Sequence, residues 1–212
     1  MQAKTNRAAE TRRAILTVAE RMFAEHGVFA VSNRQISEAA GQGNNAAVGY
    51  HFGTKTDLLL AIVREHGERV RGLREEMLDR VGDCDDPRHW LACLVRPATL
   101  HLAELTPPTW YARFCAQLMT DPVLRRLVAD ETFGPSTERT VSGLNRCLPA
   151  LPPPVRLERA DMTRLMLVHM LAERERALAD GLPTARPDWE SFTGGLIDAL
   201  IGLWFAPVVT GP

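Results

Sequence analysis

Apolar residues recur at three- and four-residue intervals along almost the whole chain, and no segment alternates apolar and polar residues as a half-buried strand does. Proline and glycine residues separate the periodic stretches from one another. The pattern therefore predicts an all-α fold, with short helices in the first quarter of the chain and longer helices after it.

Two short helical stretches lie close together near the N-terminus, after a first helix over about residues 11–27. The first short stretch follows Ser32 or Asn33, which are favourable N-cap residues, and stops at Gly41, where a left-handed residue commonly ends a helix. The second, residues 46–52, follows two asparagines that can cap it and carries only small residues on its exposed side. This helix-turn-helix pattern predicts a segment that can approach a DNA groove closely.

A long amphipathic helix is predicted from about residue 55 to residue 81. Thr54 and Asp57 have the spacing of a capping box, in which side chain and backbone satisfy each other at the start of a helix. Apolar residues then recur every three or four positions. A helix of this length can join two domains, so we expect an N-terminal domain of residues 1–54 and a C-terminal domain of residues 55–212.

The middle of the chain contains four shorter predicted helices, which begin near residues 86, 109, 121 and 136. Asp86 and Pro87 suit the first turn of the helix that they start. Pro97 lies inside the same helix and is expected to kink or break it, because proline removes a backbone donor.

The last two predicted helices, about residues 155–180 and 188–206, are more apolar than solvent-facing helices should be. Each therefore needs a partner surface. The pair could pack as core helices within one chain, or across a two-fold axis as the four-helix bundle of a homodimer.

The composition narrows the class of protein. The 212 residues are 45% hydrophobic and 24% charged, with a formal net charge of −1. No apolar run reaches the length of a transmembrane helix, and the N-terminal residues lack the apolar stretch of a signal peptide. We therefore expect a cytoplasmic protein of one or two domains with no membrane association.

Positive charge is concentrated towards the N-terminus. Residues 1–55 contain seven Lys+Arg and four Asp+Glu, whereas residues 56–212 contain 18 and 22. This asymmetry favours nucleic acid as a partner of the N-terminal segment, although it is smaller than that of strongly basic nucleic-acid binders.

The sequence contains no recognisable catalytic or metal-ligating pattern. The four cysteines include no C-x-x-C pair, and the six histidines form no H-E-x-x-H or H-x-H pair. There is no glycine-rich phosphate loop after a strand and no G-x-S-x-G segment. We therefore expect neither an enzyme nor a cofactor.

The segment around the second short helix is specific enough to suggest a family. The run Tyr50-His51-Phe52, one further residue, Thr54 and Lys55 lead into an acidic-Leu-Leu sequence. With the Ala-Gly pair that ends the preceding helix, these residues resemble the tetracycline-repressor (TetR) family of transcription regulators. The resemblance covers roughly the first quarter of the chain. It implies a three-helix DNA-binding domain and a helical domain that binds an effector and dimerises.

The resemblance and the chemistry of the side chains together give the residues expected to contact DNA. Hydroxyl, imidazole and ammonium donors suit phosphate oxygens, and these contacts are expected from Ser32, Tyr50, His51 and Lys55. Base contacts are expected from the two short helices, at Arg34, Asn44, Asn45 and Ala47. The turn and second short helix are one residue longer than the commonest family spacing, so the base-reading residues within 42–49 stay open.

Aromatic and sulfur-containing side chains of the predicted C-terminal domain are candidates for an effector pocket, although at helical spacing such residues are more often ordinary core. The polar groups that could orient a bound molecule are those of His101, Tyr111, Asn145 and His169. The candidate effector-binding residues are Trp90, Trp110, Tyr111, Phe114, Met166, His169 and Met170. The expected effector is a mostly apolar or aromatic small molecule.

Together these features predict a ligand-responsive transcription repressor. It would bind a palindromic double-stranded DNA operator as a homodimer formed through its last two helices, and an effector would release it. The alternative is a helical interaction protein that uses the helix-turn-helix for protein contacts and no longer binds DNA. Only a DNA-binding protein should lose duplex affinity, at unchanged thermal stability, when Lys55 or Tyr50 is replaced.

Overall fold

The computed structural model describes residues 2–44 and 46–208, with side chains from residue 7 onward. These residues form ten α-helices and no strand, which confirms the predicted all-α class. The helices are α1 (Gln2–His26), α2 (Asn33–Ala39), α3 (Ala47–Phe52), α4 (Lys55–Val81), α5 (Pro87–Glu104), α6 (Tyr111–Met119), α7 (Pro122–Thr132), α8 (Pro135–Cys147), α9 (Pro153–Ala179) and α10 (Trp189–Phe205).

The helices belong to two compact units. Unit 1 consists of Met1–Gly67 and Pro108–Thr132, and unit 2 consists of Glu68–Pro107 and Phe133–Pro212. The packing therefore divides α4 and assigns α6 and α7 to unit 1, unlike the predicted boundary after residue 54. The functional division into residues 1–54 and 55–212 stays a prediction.

One apolar core holds unit 1 together. Phe23 of α1 and Phe114 of α6 are both fully buried, and their stacked rings have centroids 6.1 Å apart. Buried side chains from the other helices of the unit complete the core: Ile36, Val48, Leu58, Ile62, Leu124 and Val128. This burial explains why α6 and α7 belong to unit 1, since their apolar faces lie in the same core as those of α1 to α3.

In unit 2, α5 packs against both α8 and α10, and α10 also packs against α9. Trp90 and Leu91 of α5 are fully buried, as is Leu200 of α10. α5 begins as the sequence predicted, because the Asp86 carboxylate accepts a hydrogen bond of 2.8 Å from the Arg88 N–H and Pro87 occupies the first turn.

Pro97 lies inside α5 but does not end it, so of the kink or break expected at this residue the break does not occur. Proline cannot donate to the carbonyl four residues earlier, which is that of Cys93. The structure supplies another donor, since Arg74 Nε donates to the Cys93 carbonyl oxygen at 3.3 Å. The helix therefore continues to Glu104.

A side chain of α9 caps the C-terminal end of α10. The buried Arg159 guanidinium donates to the carbonyl oxygens of Trp204 at 2.7 Å and Ala206 at 2.6 Å. The indole of Trp204 donates in turn to the Thr163 hydroxyl at 3.0 Å. These bonds satisfy groups that a helix end leaves without intrahelical partners, so the α9–α10 pair is fixed by polar contacts as well as apolar ones.

We predict that Gly143→Ala destabilises the protein. Gly143 of α8 faces the buried indole of Trp90, and an added Cβ would overlap the six-membered ring. We expect the free energy of unfolding to fall by about 1–3 kcal/mol, the usual result of overpacking a core. Urea unfolding measures the change.

Gly72→Ala is the matched control, because a Cβ at this position in α4 would meet nothing within 4 Å. Alanine has the higher helix propensity, so this variant should gain about 0.5–1 kcal/mol. Equal changes in the two variants would contradict the close approach of Gly143 to Trp90.

Candidate functional site

α2 begins at a hydrogen-bonded cap. The Ser32 N–H donates to Gln35 Oε1 at 2.8 Å, and the Gln35 N–H donates to Ser32 Oγ at 3.3 Å. Ser32, one of the two predicted N-cap residues, is therefore the cap. At the other end of α2, Gly41 has φ of +68° and is the left-handed residue that the sequence predicted.

The exposed side of α2 carries Arg34, whose Nε is 2.8 Å from Glu38 Oε1. Both side chains are exposed, and exposed ion pairs one helical turn apart contribute only about 0.3–0.5 kcal/mol. The guanidinium can therefore leave Glu38 at little cost for a stronger acceptor.

Ser37 connects α2 to α3. Its fully buried hydroxyl donates to the Asn33 carbonyl oxygen at 3.0 Å and accepts from the Val48 N–H at 3.4 Å. α3 has no side-chain N-cap, so this serine supplies a partner for one of its first N–H groups. Sequence reasoning missed Ser37, and the available signal was only that it follows the buried Ile36.

The exposed face of α3 carries few side-chain atoms. Ala46 and Gly49 are exposed, and a Cβ added at Gly49 would meet nothing within 4 Å. Tyr50 is 84% exposed at the end of this face. Before the helix, the side-chain oxygen of Asn44 accepts from the Ala46 N–H at 2.9 Å. The start of α3 can therefore come close to another surface, whereas the predicted side of only small residues ends at Tyr50.

One of the expected base contacts is buried. Ala47 is only 7% exposed and belongs to the core of unit 1, so its methyl group packs inside and the contact predicted for it is corrected. Asn45 lies outside the described residues.

The aromatic run at the end of α3 divides between exposed and packed positions. The rings of Tyr50 and His51 meet edge to face, with centroids 5.1 Å apart. Phe52 packs against the core of unit 1, and the Arg12 guanidinium lies 4.8 Å from its ring centroid. Phe52 is thus an anchor, while Tyr50 presents its hydroxyl to solvent.

Lys55 ties the start of α4 to the segment before α2. Its ammonium donates to the Val31 carbonyl oxygen at 2.5 Å and lies 5.6 Å from the centroid of the Phe23 ring. Partial burial lowers the pKa of Lys55. An ammonium has three N–H donors, so the bond to Val31 leaves two for another acceptor.

The predicted capping box at the start of α4 is confirmed. The Thr54 N–H donates to Asp57 Oδ2 at 2.9 Å, and the Asp57 N–H donates to Thr54 Oγ1 at 3.1 Å. The Thr54 hydroxyl also donates to Asp57 Oδ2 at 2.6 Å, and this bond, together with that from the Thr54 N–H, lowers the pKa of the Asp57 carboxyl group by stabilising its charged form. The box fixes where α4 starts and therefore where Lys55 lies.

Unit 2 contains an apolar cavity of about 740 Å³. Its walls come from α5, α8, α9 and α10 and include Leu94, Val141, Leu157, Leu167 and Trp204. The charged side chains among its described lining residues are those of Arg156 and Arg164. Asn145, proposed from the sequence as a polar contact, also lines it. A cavity of this size and character suits a small organic molecule.

Thr137 connects the wall of this cavity to α4. Its hydroxyl accepts from Arg74 Nη1 at 2.9 Å, and the same guanidinium holds the Cys93 carbonyl. Burial lowers the pKa of Arg74. The sequence did not single out Arg74, which lies in a predicted helix among many arginines.

The seven residues predicted to bind an effector are not among those that line the cavity. Trp90 is fully buried in unit 2 and donates to the Cys84 carbonyl oxygen at 2.7 Å. Met166 and Met170 line a second groove of unit 2, of about 540 Å³, together with Arg174. His169 is exposed on α9.

The other three predicted effector residues belong to unit 1. Phe114 is a core residue, and the Trp110 indole donates to Glu25 Oε1 at 3.1 Å. Tyr111 stacks on His66 with ring centroids 3.8 Å apart. Their size and hydrophobicity are used for packing, which was the alternative that the sequence left open.

Among the described residues, no group of His, Cys, Asp or Glu side chains is arranged to hold a metal ion. Within the same part of the chain, no helix is long and apolar enough to cross a membrane. The four cysteines are free thiols.

Two family models match the chain. Residues 15–62 match the bacterial regulatory proteins of the tetR family, and residues 92–202 match the tetracyclin repressor-like C-terminal domain. The first match contains α2, α3 and the start of α4, and the second covers more than half of the chain. A regulator rather than an enzyme is thereby confirmed.

Curated relatives are similar over part of their length. The HTH-type transcriptional repressor AcnR of Corynebacterium glutamicum is 35% identical over 121 residues, which cover 54% of this chain and 54% of that protein. AcnR of Corynebacterium diphtheriae is 32% identical over 134 residues, which cover 58% of this chain and 66% of that protein. The chain thus spans about half to two thirds of the length of these relatives.

Solved structures share the fold. A TetR family transcription regulator from Marinobacter aquaeolei VT8 superposes with a TM-score of 0.58 at 16% identity, covering 96% of this chain and 97% of that one. A TetR-family transcriptional regulator from Mesorhizobium loti MAFF303099 gives a TM-score of 0.50 at 18% identity, covering 93% of this chain and 98% of that one.

We predict that Ser37→Ala destabilises unit 1, because it leaves the buried Val48 N–H without its acceptor. The free energy of unfolding should fall by about 1–3 kcal/mol. Ser142→Ala, at an exposed position of α8, is the control and should change it by less than about 0.5 kcal/mol. Thermal unfolding of both variants makes the comparison, and a Ser37→Ala variant as stable as the control would show that the bond contributes nothing.

Proposed function

Because this chain belongs to the TetR family of bacterial regulatory proteins, we propose that it is a transcription repressor that binds a palindromic operator as a homodimer and is released by a small-molecule effector. The observation that carries the proposal is the capped α2, the left-handed Gly41 and the α3 face of small residues, all within the matched segment. In a symmetric dimer, two such faces would read half-sites about 34–36 Å apart.

The proposed phosphate contacts are Ser32, Tyr50, His51 and Lys55. They lie at the start of α2, the end of α3 and the start of α4, and each carries an N–H or O–H donor. Phosphate contacts at three helix ends would set the register of α3 in the major groove. They carry no sequence information themselves.

The proposed base contacts are Arg34, Asn44 and Asn45. An arginine can donate two hydrogen bonds to guanine, and an asparagine can pair with adenine. Support for Arg34 comes from its exposure and from its weak pairing with Glu38. The small side chains at Ala46 and Gly49 support close approach of α3 to the bases.

A second copy of the chain is the proposed partner of α9. This helix packs against α10 and still exposes large apolar side chains, with Leu165 and Met170 each 45% exposed and Leu178 46% exposed. Exposed apolar side chains along one helix favour an interface. Under this proposal, α9 and α10 would pack against each other within one chain and also take part in contacts between chains. The two alternatives from the sequence would then both apply.

The proposed effector site is the 740 Å³ cavity of unit 2. Its wall includes Thr137, which accepts a hydrogen bond from Arg74 of α4, and α4 begins at the proposed phosphate contact Lys55. An effector weakens DNA binding only if it binds the DNA-incompetent state more tightly. DNA must then weaken effector binding by the same factor.

The experiment that tests DNA binding is selection of duplexes from a random pool by the purified protein, with the affinity of the winners measured against salt concentration. Enrichment of an inverted repeat, bound by a dimer with a steep salt dependence, would support the proposal. Failure of a folded dimer to enrich any sequence at low salt would favour the alternative of an interaction protein.

Lys55→Met should lower the affinity for selected and unrelated duplexes by similar factors and reduce the slope of log K against log[salt] by roughly one. Methionine keeps the apolar stem but removes the charge. The control is Arg125→Gln, which removes an exposed charge of α7 outside the proposed contacts and should leave the slope unchanged. An unaltered slope for Lys55→Met, at unaltered thermal stability, would remove Lys55 from the phosphate contacts.

Leu165→Glu should convert the dimer to a monomer, because a buried carboxylate in an apolar interface is strongly unfavourable. Operator binding should weaken at least roughly tenfold, because a monomer presents only one α3 helix to the operator. Sedimentation velocity gives the mass in solution. Val123→Glu, at a 68% exposed apolar position of α7, should remain dimeric. A dimeric Leu165→Glu variant would place the interface elsewhere.

A further inference from the structure

The charged side chains among the described lining residues of the unit 2 cavity are all positive. Arg156 and Arg164 contribute two guanidinium groups, and no carboxylate is among its described lining residues. From this charge we propose that the ligand of the cavity is an amphipathic carboxylate, with an apolar body between the helices and its acid group against these arginines. The inference rests on the proposed effector role of the cavity and names the chemical class of the effector.

Arg164 has an unused hydrogen-bond donor. Its Nε and Nη2 face Asp161 Oδ1 at 3.4 Å and 3.0 Å, while Nη1 is buried and has no hydrogen-bond partner among the described residues. A buried guanidinium N–H without an acceptor is unfavourable, and bonds from guanidinium to carboxylate are among the strong ones. Nη1 is closed to solvent, so the Arg164 side chain would turn to present this donor, and a ligand carboxylate would then supply the missing acceptor.

The neighbouring polar groups of the cavity also favour a ligand that accepts hydrogen bonds. Arg156 Nη1 donates to the side-chain oxygen of Asn145 at 2.9 Å, which orients both groups at the wall. The acceptor of that amide is thereby engaged, and its NH₂ group is the part left to a ligand. A cationic ligand would meet two guanidinium groups at the wall, and the carboxylate of Asp161, which is not a lining residue, is already paired with Arg164.

The rest of the wall determines the body of the ligand. It includes Leu94, Val141, Leu167 and Trp204, and these side chains offer dispersion contacts and no acceptors. A small inorganic anion would leave this apolar surface exposed to water. An alkyl chain or a fused aromatic ring attached to the acid would remove it from water.

The test compares three compounds of the same length that differ only in head group: decanoate, decan-1-ol and decylammonium. Isothermal titration calorimetry on the full chain should give decanoate the highest affinity, roughly tenfold or more above decan-1-ol, with decylammonium the weakest. Ala160→Trp, which places an indole in the cavity, should abolish binding of both decanoate and the alcohol.

Arg164→Gln should remove the preference for decanoate while the affinity for decan-1-ol is kept. The matched control is Arg176→Gln, which breaks the same kind of ion pair on the same helix, Arg176 to Glu173 at 2.8 Å, away from the cavity. This control should keep the preference of the unaltered protein.

Three results would overturn the inference, and they separate it from the proposed function. Equal affinity for acid and alcohol would end the anion assignment but leave the cavity as an apolar effector site. A preference that survives Arg164→Gln would show that this arginine does not hold the acid. Absence of binding by all three compounds, or binding unaffected by Ala160→Trp, would overturn both the ligand class and the effector role of the cavity.

Discussion

One buried guanidinium group joins three helices of unit 2, because Arg74 of α4 donates hydrogen bonds to α5 and to α8. Arg74 is largely buried, and a buried charge is tolerated only when its donors find acceptors. It finds them in the Cys93 carbonyl, which Pro97 leaves without its helical partner, and in the Thr137 hydroxyl. The proline and the arginine are therefore complementary, because one withholds a donor and the other supplies it. Loss of Arg74 would leave the Cys93 carbonyl without this partner.

The same guanidinium relates the two proposed activities of the protein. Thr137 forms part of the cavity wall, so a ligand that displaces this side chain also disturbs a hydrogen bond of α4. α4 is one uninterrupted helix from Lys55 to Val81, and its first residue is a proposed phosphate contact. In the proposed mechanism, α4 is therefore the two-state element on which effector and operator compete, and the requirement for differential binding applies to its position.

Local sequence signals predicted the helices well. The features that they missed depend on contacts between residues that are far apart in the sequence. The start of α4 follows from Thr54 and Asp57, three residues apart, so the sequence was sufficient to place it. The donor that replaces the missing Pro97 N–H comes from Arg74, which lies far away in sequence, and no local pattern carries that information. The helix-turn-helix segment, α2 and α3, was recognised from its motif. Ser37, which fixes that segment internally, looks like any helical serine until Val48 is known to lie beside it.

The aromatic effector candidates do not line the proposed cavity for a related reason. Phe114, Tyr111 and Trp90 are large and apolar, and a sequence cannot distinguish a ring that fills a core from one that lines a cavity. The cavity wall consists mainly of aliphatic side chains from four helices, and only their packing reveals it.

If α3 reads the operator as proposed, the open space at Gly49 gives the protein a route to new regulatory targets. The backbone there is within reach of ordinary L-residues, and a side chain would project from the exposed face of α3 without meeting another atom of the protein. A single nucleotide change in a glycine codon yields arginine, serine or aspartate at some codons, so one mutation could add a base contact without repacking the core. Divergence of operator sequence between gene duplicates could therefore begin at this position while the fold and the effector response are inherited unchanged.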